Sequence, residues 1–289
     1  MPIPLLVLLL ALQLVCGAAF AVDCDGSDPL AADQDLTVYN GTWLAADGCF
    51  YAIRRDPTTL PLYEAEGGSE RAELLLYVPG ANAEPEQEQR KLRLLAEQSR
   101  HPVIGMFLAF PSPDAAVVPQ AAERLAEALL AALEQERDPY LQCGSLGCLV
   151  SALALAQVKD ALRRGKGIGA GLEGLGRIRV ETMGGLGLMY VDGPRYVHYA
   201  NLLDANVRRL GALSALAQLG RGAIVAMFAD TAPPLQEDLP PPVQRDLERH
   251  GFPVYNRYWQ PFDAVQQAAG PRLLRRYLWL PRLTGEIEA

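Results

Sequence analysis

A serine lies between two glycines in the segment "CGSLG", residues 143–147, where a nucleophile could be presented on a sharp turn. The segment matches small-x-Ser-x-Gly, with Cys143 in place of the usual glycine. A serine on a strained strand-to-helix turn needs small residues two positions before and after it, because the strand and the helix pack closely there. The pattern predicts Ser145 as a nucleophile for acyl transfer, with the N–H of Leu146 directed at the developing oxyanion. The alternative is an ordinary glycine-rich bend.

A nucleophilic serine needs a base, which in enzymes of this kind is a histidine. The chain has three histidines, so there are only three candidates for this base. His101 precedes a predicted strand and is expected in a solvent-facing loop. His198 lies inside the predicted strand "RYVHYANLL" and is expected to be structural. His250 fits the chain order Ser, Asp, His, and we predict it to be the base.

The third group is a carboxylate that orients the histidine. Asp204 follows the predicted strand that contains "YVHYANLL", which is where an acid-bearing loop is expected, and it is the preferred candidate. Asp230 follows the next predicted strand and is the reserve, whereas Asp192 precedes the strand. A surface carboxylate is the alternative at each position.

The segment "YVPGANAEPE", residues 77–86, places a glycine and small residues after a predicted buried strand. In acyl-transfer enzymes a loop at this place supplies one backbone N–H to the oxyanion hole, and Ala81 or Asn82 could be that donor. The alternative is an ordinary strand-to-helix turn in which Asn82 acts near the helix cap.

These residues must be positioned by alternating strands and helices. From about residue 72 onward, apolar runs alternate with segments of helical periodicity, which predicts a parallel sheet covered by helices on both faces. Ligands of such sheets bind beyond the carboxyl ends of the strands, where the candidate residues fall. The predicted strands there are 72–80, 102–110, 139–143, 177–185, 195–203 and 222–229, and the predicted helices are 84–100, 118–136, 147–164, 241–251 and 271–280. Two further strands within residues 36–56 could extend the sheet as antiparallel edge strands, so one domain is the simplest interpretation.

Four segments together resemble the α/β-hydrolase fold and, more narrowly, a group of lipase-like and esterase-like bacterial serine hydrolases. They are "LLLYVPGANAEPEQEQ", "PVIGMF", "CGSLGC" and "VETMGGLGLMYVDGPRYVHYANLLDAN". In such proteins a "GPxYxHYxNxxD" segment ends in the acid, here Asp204, and a histidine is followed by a tyrosine near the C-terminus, here His250 with Tyr255. The resemblance implies an α/β-hydrolase-like three-layer sandwich with a mostly parallel central sheet, and a serine hydrolase acting on a small-molecule or lipid ester.

The first 21 residues are expected to be a cleaved signal peptide. An apolar run ends at "AFA", residues 19–21, which is an A-x-A cleavage pattern, and polar "DCDGSD" follows. An uncleaved anchor is the alternative, because a basic segment before the apolar run is missing. We therefore expect a secreted or periplasmic protein in which residues 22–289 form a single α/β-hydrolase-like domain.

The composition of the chain argues against some classes of binding partner. Half of the residues are hydrophobic, 21% are charged and the formal net charge is −8, so a nucleic acid is not an expected partner. No stretch after the signal is apolar over the roughly 18 residues of a spanning helix, so no membrane span is expected in the mature chain. The mixed tail "PRLLRRYLWLPR" is expected to be a docked last helix, and contact with a membrane surface is the alternative.

Export changes the interpretation of the cysteines. Four of them remain after the predicted cleavage: Cys24, Cys49, Cys143 and Cys148. An even number in an oxidising compartment favours disulfides, but the sequence does not choose among three pairings, and buried thiols are the alternative. A redox pair at Cys143 and Cys148 is disfavoured because their spacing is not C-x-x-C.

No cofactor or metal site is predicted. "GAGLEG", residues 169–174, satisfies G-x-G-x-x-G, but a predicted helix precedes it and a strand follows, the reverse of a dinucleotide site, so a flexible turn is predicted there. Three scattered histidines do not make a zinc site. The alternative to an esterase is a catalytically silent protein of the same fold that binds a lipid or protein, since "DPYLQC" is a poor strand and cysteines flank the serine.

Overall fold

The computed structural model describes residues 39–51, 56–68, 73–80, 84–108, 117–187, 189–231, 249–270 and 275–280. The predicted signal peptide, Cys24, and the oxyanion candidates Ala81 and Asn82 lie outside these residues.

The described residues form eleven strands. They are β1 (Trp43–Leu44), β2 (Phe50–Tyr51), β3 (Leu75–Val78), β4 (Val103–Met106), β5 (Tyr140–Gly144), β6 (Arg179–Met183), β7 (Met189–Tyr190), β8 (Arg195–Asn201), β9 (Gln218–Leu219), β10 (Ala223–Phe228) and β11 (Arg275–Trp279). Nine of these strands make one sheet in the order β2-β1-β4-β3-β5-β6-β8-β10-β11, and β7 pairs with β9 separately. From β4 to β11 every neighbouring pair of the large sheet is parallel, whereas β1 is antiparallel to both β2 and β4. The predicted parallel sheet with an antiparallel N-terminal edge is confirmed.

Helices connect the strands and cover both faces of the sheet. They are α1 (Pro85–Ser99), α2 (Val117–Glu134), α3 (Gly147–Gly176), α4 (Ala205–Leu210), α5 (Phe252–Asn256) and α6 (Phe262–Ala268), with a short 3₁₀ helix at Pro57–Thr59. On one face the ring of Phe252 in α5 contacts Tyr77 of β3, and Lys91 of α1 lies over the same ring. On the other face α2 packs along α3. None of the helices within the described ranges is long and apolar enough to cross a bilayer.

The strand order creates a switch point between β3 and β5. The chain passes from β3 outward to β4 and then returns across β3 to β5, after which all strands are added in one direction. At such a point the connections leave the carboxyl ends of two neighbouring strands in opposite directions and open a crevice between them. Gly80 follows β3 and Ser145 follows β5, so both sequence-predicted loops meet at this crevice.

The predicted strands are continuous apolar runs because both faces of the sheet are covered. All four residues of β3 and of β4 are buried, and Gly105 in β4 lets Leu92 of α1 approach so closely that a Cβ there would lie 2.7 Å from the leucine. Strands that are buried on both sides lose the polar–apolar alternation of exposed sheets. The short segment "PYLQC" is likewise a strand, β5, despite its proline and glutamine.

Two predicted elements are wrong. The C-terminal segment is a strand and not a helix, because β11 pairs in parallel with β10 from Ala223↔Arg275 to Met227↔Trp279 and supplies the backbone partners that the outer edge of β10 needs. The glycine-rich segment after residue 164 is mostly helical and not a turn. It belongs to α3, which is interrupted at Gly167 with φ of 77°, and buried Leu175 anchors its second part.

Candidate active site

Ser145 occupies a strained turn between β5 and α3. Its φ is +46°, in the left-handed region that non-glycine residues rarely adopt. Backbone hydrogen bonds hold it there: its N–H donates to the Met183 carbonyl at 3.1 Å, and its own carbonyl accepts from the N–H groups of Cys148 at 3.2 Å and Leu186 at 3.0 Å. A residue in such a conformation persists only where its surroundings determine it, and the position is that expected for a presented nucleophile.

The small residues around the serine are needed because two backbones meet there. A Cβ at Gly147 would lie 2.1 Å from the Pro79 carbonyl oxygen and 2.4 Å from that of Val78. A Cβ at Gly80 would lie 3.1 Å from the Cβ of Ser145. The small-x-Ser-x-Gly pattern thus has a local steric cause: the start of α3 passes directly over the end of β3.

Three side chains form a hydrogen-bonded line at this turn. The Nε2 of His250 lies 2.7 Å from the Oγ of Ser145, and its Nδ1 lies 2.5 Å from the Oδ2 of Asp204. The Asp204 side chain is 1% exposed and that of His250 is 16% exposed, so the acid is buried while the imidazole faces the surface beside the serine. The structure therefore brings together the three residues that the sequence analysis selected.

Asp204 is held by a full set of donors. It is the N-cap of α4, where its Oδ1 accepts from the backbone N–H groups of Asn206 at 2.9 Å and Val207 at 3.3 Å. Its Oδ2 accepts from the hydroxyl of Tyr255 at 2.9 Å as well as from His250. Burial, together with the neighbouring Asp204 charge, raises the pKa of the Tyr255 hydroxyl well above its usual value, so it stays a donor. A buried carboxylate needs such donors, and here they also fix its orientation.

The other candidate acids and histidines have different partners. Asp230 accepts from the Tyr258 hydroxyl at 3.0 Å, and the Asp192 carboxylate accepts from the backbone N–H of Arg221 at 2.8 Å. His198 is buried between Thr182 and the Leu219 carbonyl, as expected of a structural residue. His101 is not the solvent-facing residue predicted: it is 1% exposed, and its Nδ1 lies 2.8 Å from the Glu73 carbonyl oxygen. It is buried because the loop folds under the amino end of the sheet and its ring packs on Tyr140.

A disulfide brackets the serine. The sulfurs of Cys143 and Cys148 are bonded and their Cα atoms are 5.0 Å apart, so β5 and α3 are joined across the turn. This is one of the pairings that the sequence left open. Cys49 is buried in the core near the antiparallel edge of the sheet.

Of the predicted oxyanion donors, Leu146 lies within the described residues. Leu146 directly follows the serine and is the N-cap residue of α3, with helical backbone angles, φ −65° and ψ −28°. Backbone N–H groups at the start of a helix lie in its positive end, which favours a developing negative charge.

A buried carboxyl in β6 was not anticipated from the sequence. Glu181 is fully buried, and its Oε2 accepts from Tyr140 at 2.7 Å, Gln142 at 3.1 Å and the indole N–H of Trp259 at 2.7 Å. Burial raises the pKa of Glu181 to about 7, against the opposing effect of these donors and of Arg179. A single acid inside the predicted strand 177–185 was the available signal. The contact joins β6 to the segment that carries His250.

Among the described residues no group of three or more His, Cys, Asp or Glu side chains is arranged to hold a metal ion. The imidazole, carboxylate and hydroxyl of the site bond to one another, so the arrangement is suited to moving a proton from the serine to the histidine.

The sequence matches no protein-family model and no curated protein. Among solved structures it is similar to an esterase of Pyrobaculum calidifontis, with 12% identity, a TM-score of 0.40 and coverage of 58% of this chain and 74% of that one. It is also similar to a thermostable carboxylesterase from a metagenomic library, with 14% identity, a TM-score of 0.42 and coverage of 72% and 83%. A third is esterase B of Lactobacillus rhamnosis, with 11% identity, a TM-score of 0.41 and coverage of 69% and 75%.

With TM-scores below 0.5, the fold assignment rests on the strand order of this chain itself. A mostly parallel sheet carries helices on both faces, a strained serine turn follows the fifth strand, and the switch point lies beside it. The chain has an α/β-hydrolase-like fold.

Proposed function

We propose that the protein is an exported serine hydrolase that cleaves an ester of a small molecule or lipid. The observation that carries the proposal is the line from Ser145 Oγ through His250 to Asp204, with separations of 2.7 and 2.5 Å. Such a line, on a strained turn at the switch point of a parallel sheet, is what acyl transfer requires.

The reaction follows from the two hydrogen bonds. Ser145 Oγ attacks the ester carbonyl carbon while its proton passes to Nε2 of His250, and the Nδ1–H of the imidazolium remains donated to Asp204. His250 then gives the proton to the leaving alcohol, and an acyl-serine remains. A water molecule then attacks the acyl carbon while its proton passes to Nε2, and His250 returns this proton to Ser145 Oγ as the C–Oγ bond breaks and the acid is released. The Leu146 N–H and an N–H of Ala81 or Asn82 are the proposed donors to the tetrahedral oxyanion.

A catalytically silent binding protein of the same fold is the alternative. That alternative would be favoured by a histidine beyond hydrogen-bond reach of the serine. The separation of 2.7 Å between His250 Nε2 and Ser145 Oγ favours a catalytic role instead.

Labelling with a fluorophosphonate, followed by peptide mass mapping, tests the proposal. The label should be found on Ser145, and hydrolysis of p-nitrophenyl esters should fall by a factor of about 10³ or more in Ser145→Ala. Ser214→Ala is the matched control, because that half-exposed serine accepts a bond from the Leu216 N–H and lies on a surface turn. Absence of the label from Ser145, or full activity of Ser145→Ala, would exclude the proposed nucleophile.

Export is proposed separately, from the apolar first 21 residues and their cleavage pattern. The Cys143–Cys148 disulfide supports an oxidising compartment. N-terminal sequencing of the protein from its native host tests it: a mature chain that begins at Val22 is expected, and a cytoplasmic protein that retains Met1 would contradict it.

A further inference from the structure

A cavity of about 780 Å³ lies between the segments that precede β8 and β10, and Ser145 is not among the residues that line it. Because these strands are parallel to β5, their amino ends form the edge of the sheet opposite to the one that carries Ser145. The cavity lies within the range of about 300 to 1,000 Å³ typical of small-molecule sites. The proposed ester hydrolysis does not use it.

The floor of the cavity is preformed, and a cluster of buried rings supports its one aromatic lining residue, Tyr190. Tyr190 is 5% exposed, and its ring contacts the rings of Tyr196 at 5.5 Å and His198 at 4.8 Å. Side chains of β8 hold the backbone of the two segments that line the cavity. The Tyr196 hydroxyl donates to the Val191 carbonyl at 2.8 Å, and His198 Nε2 lies 3.1 Å from the Leu219 carbonyl oxygen. A ligand that enters therefore meets an ordered surface and need not order it.

The buried Tyr190 hydroxyl has no hydrogen-bond partner among the described residues. A buried polar group is normally bonded, and an unpaired one costs free energy. The hydroxyl lies against Gly187, where a Cβ would come within 2.8 Å of it. The cavity thus has an apolar base with an unused polar atom beside it.

The mouth of the cavity combines cations with apolar groups. Lys159 of α3 and Arg221, which precedes β10, both line it. Asp192 is the acid of the same lining, and one of its oxygens already accepts from the Arg221 backbone N–H. Met189 lines the cavity and is 64% exposed. Its unbranched thioether adapts to ligand shape. The lining therefore carries two positive side chains and one negative side chain, so the cavity is locally positive although the chain has a net charge of −8.

We propose that this cavity is a second ligand site, which binds a carboxylate attached to an apolar body of medium-chain fatty acid size. The apolar body lies along Met189, Val191 and Leu219, over the ring of Tyr190. The carboxylate lies between Lys159 and Arg221. An uncharged body of the same length lacks the charge-assisted bonds and binds less tightly.

The proposal is tested by measuring the binding of octanoate to the mature full-length chain with ligand-observed NMR at low salt. Lys159→Glu and Arg221→Glu should each weaken octanoate binding about tenfold or more, since each replaces an attractive charge by a repulsive one. Arg164→Glu is the matched control: it reverses one charge on an exposed position of the same helix without lining the cavity, and binding should change less than twofold. Octan-1-ol should bind at least tenfold more weakly than octanoate.

The proposal is overturned if octanol binds as tightly as octanoate, or if either cavity variant keeps wild-type affinity. Binding at the serine crevice gives the second of these results, because neither Lys159 nor Arg221 lies there. Circular dichroism and thermal unfolding of each variant separate lost binding from lost structure. The measurement involves no turnover, so its failure is distinct from failure of the proposed esterase activity.

Discussion

Replacement of Glu181 by glutamine should remove a large pH dependence of stability. The carboxyl is fully buried, and its three hydrogen-bond donors all contact Oε2. Its Oε1 has no partner among the described residues. Burial raises the pKa of Glu181 from 4.5 to about 7, so the folded protein keeps this proton through a pH range in which the unfolded chain loses it.

The direction and size of the effect follow from that difference in pKa. Below pH 4.5 both states hold the proton, and the group does not change the stability of the fold with pH. Between pH 4.5 and 7 the folded state holds more protons than the unfolded state, so the free energy of unfolding falls as the pH rises. A difference of about 2.5 pKa units corresponds to roughly 3 kcal/mol lost by pH 8, at about 1.4 kcal/mol per unit. Glutamine is neutral throughout and shows none of this loss.

Urea unfolding of wild type and Glu181→Gln at pH 5, 6, 7 and 8, followed by tryptophan fluorescence, measures the effect. The difference in unfolding free energy between the two proteins should shift by roughly 2 to 3 kcal/mol in favour of the variant from pH 5 to pH 8. A constant offset from altered hydrogen bonding cancels in this comparison. Glu127→Gln, at an exposed position of α2, is the matched control and should leave the pH profile of the wild type unchanged.

Parallel curves for wild type and Glu181→Gln would refute the argument. They would mean that the donors from Tyr140, Gln142 and Trp259 keep the carboxyl ionised in the fold, and that burial does not dominate its pKa. A shift in the opposite direction, with the wild type gaining stability at high pH, would place the folded pKa below that of the unfolded chain and would contradict the cause given for it.

Three further substitutions, together with one control, test the turn and the acid. Gly147→Ala should lower the free energy of unfolding by at least about 2 kcal/mol, because its Cβ would meet a backbone carbonyl oxygen at 2.1 Å. Gly169→Ala, in open space on the same helix, should be neutral or slightly stabilising in the same urea titration. Tyr255→Phe should lower kcat for a p-nitrophenyl ester about tenfold with little change in KM. The substitution removes a hydrogen-bond donor that lies 2.9 Å from the Asp204 carboxylate and orients it, which should raise the activation free energy by about 1.4 kcal/mol. A change in KM alone would contradict an orienting role. Cys148→Ser should lower stability by about 2 kcal/mol, the loop-closure value for a sequence separation of 5, and thermal unfolding with and without reductant should give the same loss in the wild type.

The sequence predicted the features that depend on chain order and on local sterics. The strand-to-helix turn at Ser145 was visible because the close approach of α3 to β3 excludes any side chain at Gly147. Asp204 was selected because it directly follows the predicted strand 195–203, and in the structure it also caps the helix that comes next. His250 was selected by chain order and elimination among three histidines.

Features that depend on pairing between distant segments were not predicted. The segment at residues 275–279 has mixed arginine, leucine and aromatic residues that are compatible with a helix, and only the open edge of β10 makes it a strand. His101 is buried because of Tyr140, which lies far along the chain. Glu181 could be seen as an odd acid in a strand, but its partner Trp259 is 78 residues away.

The strained serine links the fold to the proposed chemistry. A non-glycine residue at φ of +46° carries a cost on the order of 1 to 3 kcal/mol. That cost is borne by three backbone hydrogen bonds to Ser145 and by the covalent bond between Cys143 and Cys148, which join the turn to both neighbouring elements. An unstrained turn would continue β5 or begin α3 at the serine and would direct the hydroxyl into one of those elements. Since the strain is what presents Oγ to His250 at 2.7 Å, the disulfide at this turn stabilises the geometry of the proposed nucleophile as well as the fold.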